Sequence, residues 1–236
     1  MVAENVKNIR RRIEETCVRT GRLAEDVTLV AVTKTFSESR VREAVEAGVL
    51  DIGENFVQEL VRKRQKLGDD RIRWHFVGHL QTNKVRQIAG WIHLIHSLDS
   101  LHLGKEISEN AGGIGKRIDV LVEVNTSGEG TKFGVRPEET ETLVEGLSRL
   151  PSLRVQGLMT MAGGPPGPEF SRAAFRVLRE IRDNIQQHGL PLRHLSMGMT
   201  NDFEVAIEEG ATIVRIGTAI FGERIKPAPS GMNKAT

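Results

Sequence analysis

The 236-residue chain contains no tyrosine, a single cysteine, Cys17, and only two tryptophans. Without tyrosine, no phenol is available as an acid or a base. One cysteine excludes an internal disulfide framework and fits a reducing compartment. Excess charge is also missing: 33 Lys and Arg against 31 Asp and Glu leave +2, which gives no electrostatic reason to expect nucleic acid. No apolar run approaches the length of a membrane span, and residues 1–8 lack the apolar core of a secretory signal. What is left is an ordinary globular composition, 39% hydrophobic and 27% charged, expected to be cytoplasmic with no nucleic-acid or membrane partner.

What the chain does have is alternation. Residues 3–20 read as an amphipathic helix, with Val6, Ile9, Ile13 and Cys17 on one face before Gly21 ends it. Short apolar runs at 28–34, 50–53, 73–78, 92–97, 118–125, 153–160, 194–197 and 213–217 read as strands, and helical patterns separate them. Ser37 is placed to cap a helix carrying Val41, Ala44 and Val45, which Gly48 stops. Pro137 opens another, with Leu143, Leu147 and Leu150 on its apolar face. Pro168 opens a longer one, with Phe170, Ala174, Val177, Leu178, Ile181 and Ile185 directed inward. Strands interleaved with helices imply a parallel sheet, because parallel strands need crossover connections. At this length and strand count, the expected fold is α/β: a single-domain (β/α)8 TIM barrel with an additional N-terminal helix. The barrel is expected over residues 1–226, with 227–236 a disordered tail, and Gly163–Pro168 reads as a Gly/Pro loop on its active face.

In such a barrel, functional residues sit at the C-terminal ends of strands. Lys34 ends the run Thr28-Leu-Val-Ala-Val-Thr-Lys34. A lysine there either extends its ammonium to water or serves as a desolvated amine able to attack a carbonyl. Asn55 follows strand two, and Ser196-Met197-Gly198-Met199 and Arg215-Ile216-Gly217-Thr218 end strands seven and eight. The last two segments suit a phosphate, which barrels often hold between those loops. Asn201 reads as the cap of the following helix, with Glu204 as its reciprocal acid. Arg215, inside an apolar strand, needs a partner: a carboxylate such as Glu123 or Glu54, or a ligand. His75, His79, His93 and His96 fall on strands and loops where their spacing does not place them on one face, so no metal site is expected, although His79 is placed to line a pocket rim.

The segments Ala31-Val-Thr-Lys-Thr35, Gly53-Glu-Asn-Phe-Val-Gln-Glu59, Trp74-His-Phe-Val-Gly-His-Leu-Gln-Thr-Asn-Lys84, Ile95-His-Ser-Leu-Asp-Ser100, Gly157-Leu-Met-Thr-Met161 and Leu195–Gly210 resemble the YggS/PROSC family. These are pyridoxal 5′-phosphate (PLP) homeostasis proteins, similar to the N-terminal domain of alanine racemase. The resemblance implies PLP carried by Lys34 as an aldimine. It also implies Ser196, Gly217 and Thr218 at the phosphate, Arg215 at the pyridine nitrogen and Asn55 near the ring, with Met197 among the cofactor-binding residues.

The residues argue against efficient turnover. An arginine cannot accept the ring proton that strengthens the cofactor as an electron sink. Alanine racemases use a tyrosine for one of their two acid–base groups, and this chain has none. Losing such a group costs about 10²–10⁴ in rate. The expected function is therefore PLP buffering and supply with little or no catalysis and no catalytic residue, by a monomer whose partners are PLP and PLP-dependent apoenzymes. The alternatives are a PLP-dependent amino-acid racemase or related enzyme of low activity, and a cofactor-free Schiff-base aldolase acting on phosphosugars through Lys34.

Overall fold

Each apolar run is too short to be a helix and is bounded by turns, and each buries both faces, as strands covered by helices do. The structure, a computed structural model, describes residues 1–130, 133–162 and 167–223. The strands are β1 Thr28–Val32, β2 Asp51–Glu54, β3 Arg73–Phe76, β4 Leu94–Leu98, β5 Ile118–Glu123, β6 Leu153–Met159, β7 His194–Ser196 and β8 Ile213–Ile216. They close in sequence order into a barrel, with β8 pairing back onto β1, and every pair is parallel. The helices are α1 Val2–Arg19, α2 Glu38–Glu46, α3 Val57–Leu67, α4 Val85–Ile88, α5 Leu101–Gly112, α6 Thr140–Ser148, α7 Pro168–Gln187, α8 Phe203–Glu208 and α9 Thr218–Phe221. The expected (β/α)8 barrel with its N-terminal helix is the observed fold. Among the described residues no helix is long and apolar enough to cross a membrane. The expected tail 227–236 and residues 163–166 of the Gly/Pro loop lie outside the described residues.

Two apolar layers hold the barrel. The larger lies between the sheet and the helices and includes Val6, Ile9, Ile13 and Cys17 of α1. Cys17 is a buried thiol whose pKa burial raises, in keeping with a small core hydrophobe. The smaller layer, Val30, Leu94, Leu121, Met159 and Ile213, fills the barrel axis from five different strands. The helix α1 is fastened beside α8 and α9: Arg12 donates to both carboxylate oxygens of Glu204 at 2.9 and 2.8 Å, and Asn5 Nδ2 donates to Ile220 O at 2.9 Å.

That pairing corrects one expectation. Glu204 does not reach back to cap its own helix; it is engaged by Arg12, and the cap position falls to Asp202, whose Oδ1 accepts from Met199 N at 2.6 Å. The register of α7 is also corrected at its start. Phe170 is 61% exposed, while Phe175, one turn further on, is fully packed. Pro137 begins a short 3₁₀ turn that leads into α6. Finally, β1 ends at Val32, so Lys34 stands two residues past the strand, in the turn that leaves it.

The N-terminal mouth is closed by Asp51, which accepts from Arg73 Nε and Nη2 at 2.7 and 2.5 Å and from His75 Nε2 at 2.9 Å. Burial raises the Asp51 pKa, but the bonds from His75 and Arg73 outweigh it and bring the carboxyl from 3.8 down to about 2. A carboxyl depressed by folding adds stability above its unfolded pKa and loses it as pH falls through the folded one. We expect Asp51 to contribute up to about 2 kcal/mol near neutrality, lost between about pH 4 and pH 2. Circular-dichroism acid titration of Asp51→Asn should show a less stable protein whose stability declines less steeply across that window than the wild type's.

Candidate functional site

The C-terminal ends of β1, β2, β3, β6, β7 and β8 open into a cavity of about 340 Å³. This is the face on which barrels place their ligands, and the volume suits a small molecule. Lys34 and Val32 line it from β1, Asn55 from the loop after β2, Met199, Thr200 and Asn201 from the loop after β7, and Arg215, Gly217 and Thr218 from β8. Five of the seven residues singled out from the sequence, Lys34, Asn55, Arg215, Gly217 and Thr218, therefore share one wall.

Ser196 and Met197 do not join them. Both are fully buried, and neither lines the cavity. Met197 belongs to the core between sheet and helices, whereas Ser196 Oγ accepts from Arg215 Nη1 at 2.6 Å and bonds His96 Nδ1 at 2.9 Å. Strand alternation is the cause: Ser196 points to the axis below Arg215, and Met197 points outward. The residues of that segment that do reach the cavity are Met199, Thr200 and Asn201, beyond the tight turn at Gly198. Gly198 has φ +91°, and a Cβ there would lie 2.5 Å from that of Ala206, so packing alone requires glycine.

Arg215 is 4% exposed, and burial brings its pKa down to about 10, against the opposing pull of Glu123. It keeps its charge at neutral pH. Its partners are neutral: besides Ser196, it donates from Nη2 to Thr160 O at 2.9 Å. Neither carboxylate expected for it bonds to it among the described residues. Glu123 acts through space only; burial raises its own pKa to about 7 despite the nearby Arg215 charge. Glu54 faces the opposite side of the sheet and belongs to another cluster.

That cluster holds the turn carrying Lys34. Lys63, from α3, is fully buried and donates to Glu54 Oε1 at 2.5 Å, to Thr33 O at 2.6 Å and to Glu59 Oε2 at 3.2 Å. Thr33 Oγ1 donates to Glu54 Oε1 at 2.5 Å, and Thr35 N donates to Glu59 Oε2 at 3.0 Å. Burial raises the Glu54 pKa, with Lys63 pulling it back. Between these anchors Thr35 adopts φ +69°, a strained value for a β-branched residue that the surrounding bonds enforce. Lys34 itself is half-buried at the cavity wall. Sequence reasoning missed Lys63 because a lysine in an amphipathic helix ordinarily faces water.

The histidines did not behave as isolated residues either. Asp51, His75 and His93 place one ligand-type atom each within 4.8 Å of one another, the one such grouping among the described residues. Asp51 is already engaged there by Arg73 and His75, so the group is satisfied as it stands. His79 does not line the cavity; its ring stacks on Phe133 at 4.0 Å beside a neighbouring groove.

The residues present suit a phosphorylated aromatic aldehyde. Asn55 Oδ1 is buried without a hydrogen-bond partner at the cavity edge. At Gly217 a Cβ would come within 3.2 Å of Val32 O, leaving a backbone hollow at the cavity wall. Two hydroxyls, Thr200 and Thr218, flank it, and a cationic donor and an amine complete the set.

Comparison with known proteins fits this picture. Residues 2–225 match the family model "Alanine racemase, N-terminal domain". The chain is 47% identical to the pyridoxal phosphate homeostasis protein of Aquifex aeolicus over 94% of its own length and 97% of that protein's. It is 42% identical to the protein of the same name from Pseudomonas aeruginosa, covering 97% and 98% of the two chains. The solved structure of PipY from Synechococcus elongatus with PLP bound superposes with a TM-score of 0.83 at 32% identity, over 94% of this chain and all of that one.

Removing Lys63 should leave Glu54 buried without its counter-charge, which typically costs about 3–5 kcal/mol. Urea unfolding of Lys63→Met should show that loss, and Lys63→Met with Glu54→Leu should recover most of it. An unchanged midpoint in the single variant would mean that the pair does not anchor the turn.

Proposed function

The chain belongs to the family of pyridoxal phosphate homeostasis proteins, built on the alanine racemase N-terminal-domain barrel, and from that membership we propose that it binds PLP reversibly through Lys34 to buffer and supply the cofactor. The observation that carries this reading is the convergence of Lys34, Arg215, Gly217 and Thr218 on one cavity of about 340 Å³. When bound, PLP supplies an aldehyde, with which a lysine amine condenses with loss of water. In this reading Lys34 provides that amine, and the cluster around Lys63 fixes the turn from which it projects. Gly217, Thr218 and Thr200 take the phosphate, so the phosphate contact expected of Ser196 passes to Thr200, the residue of that segment which reaches the cavity. Asn55 offers its unpartnered amide oxygen to the ring substituents.

Arg215 takes the ring nitrogen. A guanidinium held charged and anchored from below donates a hydrogen bond there but no proton, which favours storage over carbanion chemistry. The protein acts in this reading as a cytoplasmic monomer that hands PLP to apoenzymes, with little or no catalysis.

The test is borohydride reduction of the PLP-loaded protein followed by peptide mapping. The pyridoxyl group is expected on the peptide that contains Lys34, and both the visible absorbance and the adduct should vanish in Lys34→Ala. A reducible adduct of equal stoichiometry in Lys34→Ala would overturn the assignment. Exchange of amino-acid α-protons into deuterated solvent at enzymatic rates would favour the catalytic alternative.

A further inference from the structure

Below the cavity, a line of buried side chains runs down the barrel axis and links residues from five strands. Arg215 Nη1 donates to Ser196 Oγ at 2.6 Å, and Ser196 Oγ is 2.9 Å from His96 Nδ1. His96 Nε2 is 2.9 Å from His75 Nδ1, and His75 Nε2 is 2.9 Å from Asp51 Oδ1. Arg73, 48% exposed at the opposite mouth, closes the line on Asp51. Between those ends nothing is open to water: Ser196 and His96 are 0% exposed, His75 2%, Arg215 4% and Asp51 6%.

Donor chemistry gives this line a direction. A guanidinium only donates, so Ser196 Oγ accepts from Arg215 and keeps its single proton available for His96 Nδ1. His96 then carries its proton on Nε2 and donates to His75 Nδ1, and His75 carries its own on Nε2 and donates to Asp51. A carboxylate only accepts, so His75 Nε2 must donate to Asp51, and a neutral His75 then accepts from His96 in the same direction. With both rings neutral the two ends are compatible with this one direction, and each ring nitrogen in the line has one partner. A charged His75 would instead donate from both nitrogens, turn His96 round and aim a second donor at Ser196 Oγ. Burial, with the nearby His75 and Arg215, holds the His96 pKa well below its usual value, as a ring that must stay neutral requires.

The proposed function uses Ser196 only as an anchor of Arg215 and makes no use of Asp51, His75 or His96. We propose that Asp51, His75, His96 and Ser196 are positioning residues that orient the Arg215 guanidinium toward the cavity and couple the charge at the barrel floor to ligand binding at its mouth. The proposal rests on the assignment of PLP to this cavity. Hydrogen bonds in series polarise one another in a low-dielectric interior, so a cut far down the line is felt at its end.

The first experiment needs no variant and no cofactor. Nitrogen-15 NMR of the apoprotein at neutral pH should find His75 and His96 both as neutral Nε2–H tautomers. An Nδ1–H tautomer in either, or an imidazolium at His75, would overturn the proposal. The second experiment cuts the line at a point that touches neither Arg215 nor its direct partner. His75→Phe should weaken PLP binding roughly 5- to 20-fold, within the lower part of the usual range of coupling between sites, and shift the absorbance maximum of the bound cofactor. His75→Gln, whose amide can accept from His96 and donate to Asp51, should restore both. Unchanged affinity and spectrum in a folded His75→Phe protein would overturn the coupling. Loss of the adduct from Lys34 in the wild type would instead defeat the PLP assignment and leave the tautomer result standing, so the two failures are distinguishable.

Discussion

A guanidinium moved from water into the axis of a closed sheet keeps its charge and needs an acceptor for every donor it turns inward. Arg215 meets that demand with a hydroxyl and a backbone carbonyl, not with a carboxylate. The difference has consequences for everything above it. A carboxylate partner would have neutralised the charge and tied the arginine to the barrel. Neutral acceptors fix the geometry while leaving the cavity cationic. Ser196 is bonded in turn to His96, His96 to His75, and His75 to Asp51, which supplies the negative charge at the far end.

A second buried cluster has a different task. Lys63, Glu54, Thr33 and Glu59 sit on the helix-facing side of β2 and brace the turn in which Lys34 stands. Here the charges are paired at contact distance, which suits a clamp that resists displacement. The barrel thus treats its two cationic side chains separately. One is braced by an ion pair on the outside of the sheet, the other by a directed hydrogen-bond line on the inside. Both arrangements follow from strand alternation, because Glu54 and Asn55 are neighbours in sequence and face opposite sides.

Alternation and spacing carried much of this in the sequence. The apolar runs between helical patterns gave the parallel barrel, and the polar residues at strand ends gave Lys34, Asn55, Arg215, Gly217 and Thr218, which meet at one cavity. What was not legible depends on inter-strand register. Ser196 and Thr200 are one turn apart in sequence, and only the depth of β7 relative to β8 decides that Arg215 covers the first and that the second reaches the cavity. The contact of His75 with His96 is not legible because nothing local joins β3 to β4, where His75 lies opposite Leu94, two residues before His96 on the same face. Lys63 was hidden for the opposite reason: its helical face is easily read, but the carboxylate that lets a lysine occupy it comes from a different element.

These two limits share one cause. A buried charge is stable only with its partner, and in a barrel partners come from strands far apart in sequence, so the pattern that places each residue cannot reveal the pair. Residues that reach the cavity individually are therefore legible in the pattern, and those one layer beneath it are not. That layer is where Arg215 acquires its properties. Its charge at neutral pH follows from residue type, but its orientation follows from Ser196 and Thr160. A cation so oriented gives the cavity a fixed hydrogen-bond donor that keeps its own proton.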